Sequence, residues 1–180
     1  MNLIREKGIE ELGPCIEQIE NDKLKSWVVQ VLEEDVPDYF FYGPASSSGR
    51  HHPLNSLGLG GLLRHTRAAV KVAKELEVVY RLDNMIDKEW DCIIAALILH
   101  DICKPAKDHA DLAFESLKNY GKEAKVYRDS FESRIQIVRH LILTHMGQWG
   151  DIHPVDEPQK FVHLCDYIAS RRDITINIRS

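Results

Sequence analysis

The feature that most constrains this chain is the run Trp90-Asp91-Cys92-Ile93-Ile94-Ala95-Ala96-Leu97-Ile98-Leu99, which ends in His100-Asp101. A helix that is apolar nearly all round is a central, buried one, so other helices must surround it. His100 and Asp101 then lie at the end of a buried helix. Burying an imidazole and a carboxylate without partners costs on the order of several kcal/mol, so the pair requires a metal, a charge or a polar network. Side by side, the two side chains can reach one metal ion, and a carboxylate can bridge two.

The 180 residues are expected to form one domain, with residues 1–35 as an N-terminal helical extension and 36–172 as the core that carries the chemistry. No apolar run is long enough for a transmembrane helix, so no membrane partner is expected. The start, Met-Asn-Leu-Ile-Arg-Glu-Lys, lacks a signal-peptide core, and the expected location is the cytoplasm. Cys15, Cys92, Cys103 and Cys165 contain no CxxC pair, which excludes a cysteine-type zinc site or a redox dithiol; Cys92 and Cys165 read as reduced core residues. The net charge is −5, and the acids concentrate in residues 1–40, leaving the remainder about neutral. That is not the basic footprint of a duplex-binding domain, although a small phosphate-bearing substrate needs only a few cations.

Apolar spacing predicts an amphipathic helix over about 14–34, with Pro14 in its first turn and a shorter helix before it. The acidic face reads as a packing surface or a homo-oligomer contact. Residues 35–60 read as a long loop containing the aromatic cluster Tyr39–Tyr42 and then Arg50-His51-His52. A helix over 61–79 carries His65 on its first turns. Asp83 or Asp87 is the candidate cap of the central helix. Further helices are predicted over about 109–120, ending at Gly121, and over 129–143. His140 lies near the end of the latter and His145 just beyond it. Five residues apart, these two point about 140° away from each other on a straight helix, so both face one site only if the helix ends near His145, which Gly147 permits. His153 reads as solvated in the loop 148–158. A last helix over 158–171 places Asp166 among apolar residues, and the tail 174–178 is either strand-like or disordered. No strand precedes Gly58–Gly61, which excludes a dinucleotide fingerprint or P-loop there. The fold class is therefore all-α, with six or seven helices.

His65, His100-Asp101, His109, His140, His145 and Asp166 come from separate helices or helix ends. Each is explicable alone as structure; jointly they offer imidazoles and carboxylates to a divalent metal without any thiolate. Their order resembles the HD-domain metal-dependent phosphohydrolases, on Gly-Gly-Leu-Leu-Arg-His65-Thr, Leu-Ile-Leu-His100-Asp101-Ile-Cys-Lys104-Pro and Leu-Cys-Asp166. Phe41-Tyr42-Gly43-Pro44-Ala45, His51-His52 and Arg139-His140 to His145-Met146-Gly147 are most similar to the HD domain of the 3′–5′ exoribonuclease group. Cys103 stands where that group has Gly, and Met146 where it has a second His. Residues 1–35 read as helical and acidic, not as that group's upstream OB fold.

The resemblance implies an HD-like bundle in which His65, His100, Asp101 and Asp166 hold one divalent ion (Mn, Mg, Fe, Ni, Co or Zn). His109, His140 and His145 are candidates for a second ion, bridged by Asp101, or for phosphate binding. It further implies metal-activated water attacking a phosphate mono- or diester, most simply a nucleotide, with Asp101 and Lys104 as catalytic residues. Arg50, His51, His52 and Arg64 are weaker candidates for substrate contact. No base-recognition motif is visible. The competing reading is a non-catalytic metal- or nucleotide-binding module that senses a ligand or partner.

Overall fold

The computed structural model describes residues 3–46, 49, 52–81, 89–117, 131–174 and 176–178. The described residues form eight α-helices and two short 3₁₀ turns. These are α1 (Leu3–Ile16), α2 (Asp22–Glu34), α3 (Tyr39–Tyr42), α4 (Gly61–Arg81), α5 (Trp90–Leu99), α6 (His109–Ser116), α7 (Phe131–Thr144) and α8 (Glu157–Ser170), with turns at Leu54–Ser56 and Gly147–Trp149. Among the described residues the regular structure is all-helical, as the periodicity predicts, with eight α-helices where six or seven are expected because Tyr39–Tyr42 forms a short helix inside the expected loop.

α5 is the centre. Every residue from Trp90 to Leu99 except Asp91 is buried, and α1, α2, α4, α7 and α8 pack around it. Asp91, the one acid on this helix, accepts the backbone N–H groups of Glu20 at 3.0 Å and Asn21 at 2.9 Å. It thereby satisfies the link between α1 and α2. The candidate caps Asp83 and Asp87 lie outside the described residues, as do Tyr120 and Gly121.

The break between the first two helices differs from the sequence expectation. Pro14 sits in the last turn of α1, and the chain turns at 17–21 before Asn21 caps α2 by accepting from Leu24 N at 3.0 Å. A proline removes one ladder hydrogen bond near a helix end, where the cost is smallest, and the periodicity of two adjoining helices looks continuous across the break. Residues 39–42 and 54–56, read as loop, are short helical turns. Arg5 of α1 pins this region by donating to Glu33 O and to Val36 O and by pairing with Asp38 at 2.9 Å. In the tail, residues 176–178 are irregular, and Arg67 donates to Ile178 O.

α6 lies on α7 through Arg139, which is only 4% exposed. Its guanidinium donates to Phe114 O at 2.9 Å and to Gln136 Oε1 at 2.6 Å and stacks 4.0 Å from the Phe114 ring. The polar ends of α5, α6 and α7 thus meet the faces of α4 and α8 in one place.

Candidate metal centre

His65 lies on the second turn of α4, His100 and Asp101 follow the last turn of α5, and His109 opens α6. His145 lies one residue beyond α7, and Asp166 is on α8. All six meet around the Asp101 carboxylate. One oxygen, Oδ2, is 3.2 Å from His100 Nε2 and 3.5 Å from His65 Nε2. Asp166 Oδ1 completes that side, 2.9 Å from His65 Nε2 and 3.6 Å from His100 Nε2. The other oxygen, Oδ1, is 3.2 Å from His109 Nε2 and 3.7 Å from His145 Nε2.

The donor chemistry fits a divalent cation. His100 Nδ1 donates to Leu97 O at 2.8 Å, His109 Nδ1 to Ala106 O at 3.1 Å and His145 Nδ1 to Ile142 O at 2.6 Å. A carbonyl accepts only from an N–H, so each ring carries hydrogen on Nδ1 and turns its Nε2 to the cluster, the orientation that ligation requires. Both Asp101 oxygens are buried, and Lys104 reaches one of them at ion-pair distance. A buried carboxylate ringed by four imidazole Nε2 atoms is a donor set that a cation placed between them would satisfy. Two ligand atoms each about 2.1 Å from one ion sit about 3 Å apart, the scale of the separations found here. Two overlapping groups meet the spacing for an ion: His65, His100 and Asp166, and His100, Asp101 and His145.

The charges are strongly coupled. Burial alone would raise the Asp101 pKa, but His100 and Lys104 hold its carboxyl well below the usual range. Asp166 is likewise held down, against burial, by hydrogen bonds from His100 and His65. Burial would lower His100, yet Asp101 beside it pushes it up to about 10. Burial and the charge at His100 lower His145 against the pull of Asp101. Lys104 Nζ stands 2.7 Å from Asp101 Oδ2, an ion-pair distance, and this carboxylate raises its pKa despite burial.

The other sequence candidates divide. His52 reaches the cluster: its ring lies 5.1 Å from that of His65, and burial followed by the charges of His65 and Lys104 lowers its pKa to about 4. Arg50 and His51 lie outside the described residues. Arg64 is engaged elsewhere, donating to Asn55 O at 2.5 Å and Leu57 O at 3.3 Å, so it clamps the loop that leads into α4. His140 is set apart as well. It is exposed, its Nδ1 donates to Gln136 O at 2.8 Å, and its ring packs edge-on against Phe114. α7 continues regularly through His140, and only its end, where His145 N bonds Ile142 O, turns His145 inward. His153 is exposed, as its loop position predicts.

Sequence reasoning missed His163, whose Nδ1 donates to His145 O at 2.8 Å. It also missed Trp149, Tyr167 and Arg171, which join His52, Lys104 and Asp166 around a cavity of about 300 Å³. A signal existed for α8. His163 is three residues before Asp166, on the same helical face, and Tyr167 is four residues after His163.

Residues 62–171 match the HD domain family, and the chain belongs to it. All six cluster residues fall inside that span. The dihydroneopterin 2′,3′-cyclic phosphate phosphodiesterase of Methanocaldococcus jannaschii is 27% identical over 189 aligned positions, covering 94% of this chain and 72% of that protein. No solved structure matches. HD domains bind divalent metals, and together with this relative they support a metal-dependent phosphohydrolase. Among the described residues, no helix is long and apolar enough to cross a membrane.

Proposed function

We propose that this chain hydrolyses a phosphodiester bond in a small, nucleotide-like molecule, using divalent metal held around Asp101. One observation carries the reading: Asp101 is buried, and imidazole nitrogens from four separate elements converge on its two oxygens. His65, His100, Asp101 and Asp166 would hold one ion. Asp101, His109 and His145 would hold a second. An imidazole-rich set without thiolate suits Fe, Ni, Co, Zn or Mn better than Mg. Bound there, such an ion supplies Lewis-acid polarisation of the phosphoryl group and a water of lowered pKa.

The chain's own residues complete the chemistry. Lys104 borders the cavity with its charge fixed by Asp101, where it neutralises charge building on the phosphate in the transition state. His52 stays neutral at pH 7 and has both ring nitrogens buried without partners, so it is free to donate a hydrogen bond to a phosphate oxygen. The Nδ1 contacts of His100, His109 and His145 hold their rings in place before substrate arrives. The relative acts, by its name, on a cyclic phosphate, and this favours a diester over a monoester here. Of the residues similar to the exoribonuclease group, His52 and His145 lie at this site, so a short oligonucleotide belongs among the test substrates.

The deciding experiment measures metal content of the purified protein and then hydrolysis of 2′,3′-cyclic nucleoside phosphates, nucleoside monophosphates and a short oligonucleotide with each metal. Turnover of a cyclic diester that Asp101→Asn reduces at least about 100-fold supports the reading. A protein that binds no metal, or whose turnover survives that substitution, overturns it.

A further inference from the structure

The cavity beside the cluster has a second character that the phosphate chemistry does not use. The 3₁₀ turn Gly147–Trp149 starts two residues after His145 and holds Trp149 out at the cavity with 58% of its surface exposed. The other two tryptophans, Trp27 and Trp90, are 3% and 4% exposed. Trp149 stacks on Tyr167, with ring planes 19° apart and centroids 5.6 Å apart, and Arg171 places its guanidinium 5.3 Å from the Tyr167 centroid.

This wall is built, not accidental. Gly147 adopts φ of +57°, and a Cβ there would stand 2.2 Å from the His163 ring, so only glycine allows the turn to close. His163 then fastens the turn to α8 through His145 O. Tyr167 directly follows Asp166, and Trp149 comes four residues after His145. The aromatic pair is therefore fixed in position relative to residues on both sides of Asp101.

We propose that Trp149 and Tyr167 form the subsite for the alcohol part of the phosphate ester, and that this part carries a planar heteroaromatic ring. Resting on the phosphodiesterase reading above, the inference names its substrate class: a phosphate ester of a base-like molecule. A near-parallel stack of exposed Trp149 on half-buried Tyr167 leaves the outer face of Trp149 for a third ring, and such stacking is insensitive to which ring is present. Discrimination between purine-like rings is accordingly weak, and discrimination against esters without a ring is strong.

The test compares guanosine 2′,3′-cyclic phosphate with glycerol 1,2-cyclic phosphate, which has the same kind of diester and no ring. In the metal-loaded protein, Trp149→Ala should raise the ratio of KM for the guanosine ester to KM for the glycerol ester about tenfold, and Trp149→Phe should restore it. A ratio unchanged by Trp149→Ala overturns the subsite. A second readout needs no turnover. Only Trp149 of the three tryptophans is exposed, so guanosine monophosphate should quench the fluorescence of the metal-loaded protein where inorganic phosphate does not, and Trp149→Ala should abolish that quenching. Equal quenching by both ligands, or none, overturns the proposal. If neither ester is hydrolysed, the phosphodiesterase reading fails while the quenching result still decides the subsite.

Discussion

Asp101 faces imidazoles of four elements with its two oxygens, so substitutions around it should separate one ion from two. Asp101→Asn keeps the shape and removes the shared charge; metal bound after dialysis should fall towards zero. His109→Ala removes a donor from the Oδ1 side alone, and elemental analysis should show the loss of one ion per chain with the other retained. An unchanged content in His109→Ala would assign that side to phosphate instead. The metal-free pocket also stores a proton. With Asp101 pushing His100 up to about 10, this imidazole is protonated at pH 7.5, whereas ligation needs it neutral. The sign follows: the raised pKa favours the metal-free fold below about 6.5 and less so as pH climbs towards 10, while metal affinity rises over the same range. Calorimetric titration at pH 7.5 in buffers of different ionisation heat should report about one proton released per ion bound on the His100 side.

At the scale of elements, the turn after α7 links fold and site most directly. Gly147→Ala places a Cβ against His163 and holds alanine in a left-handed conformation, costing on the order of 1–2 kcal/mol in stability. The displaced His163 would also release His145 O, so metal affinity should drop about 10-fold as well. Urea melts and a metal titration of the same variant check both effects. Gly147 was legible in the sequence as a helix stop, because glycine after a run of helix formers signals one. What closes around it was not, since His163 comes 16 residues later on another helix. The same reason explains the first two helices. Their spacing reads as continuous, and the group that satisfies the break, Asp91, arrives from α5, 70 residues away. His140 shows the opposite limit. A histidine beside a true cluster member passes any compositional test, and only the exact point at which the helix ends decides which one turns inward.

For the molecule as a whole, the buried and, Asp91 apart, apolar α5 sets the architecture, because such a helix forces a surrounding layer and brings its polar end to a shared site. The aromatic wall is invisible in the sequence, since Trp149 and Tyr167 meet only in space. The same tight packing shapes the response to alkaline pH. Burial pushes Cys15 up to about 11 and Cys92 up to about 12, and it raises Cys165 further. A thiol whose pKa is raised in the fold contributes stability that is intact below about pH 9 and is lost as pH rises towards the folded value. By pH 10.5 each of these thiols should cost on the order of 2 kcal/mol, and Cys92→Ala should remove its share of that pH dependence in urea melts at pH 8 and 10.5. Metal acts in the opposite direction. The cluster joins α4, α5, α6, α8 and the end of α7, so an ion held there ties five elements that the unfolded chain cannot bring together. At about 100 to 1,000 times its Kd, an ion that binds only the folded chain adds about 3–4 kcal/mol, which is roughly 6–16 °C in Tm for a chain of this size. Chelation should reverse that rise in the native protein. In Asp101→Asn added metal should leave Tm unmoved, and a variant that is still stabilised would place the ion on His65, His100 and Asp166 without Asp101.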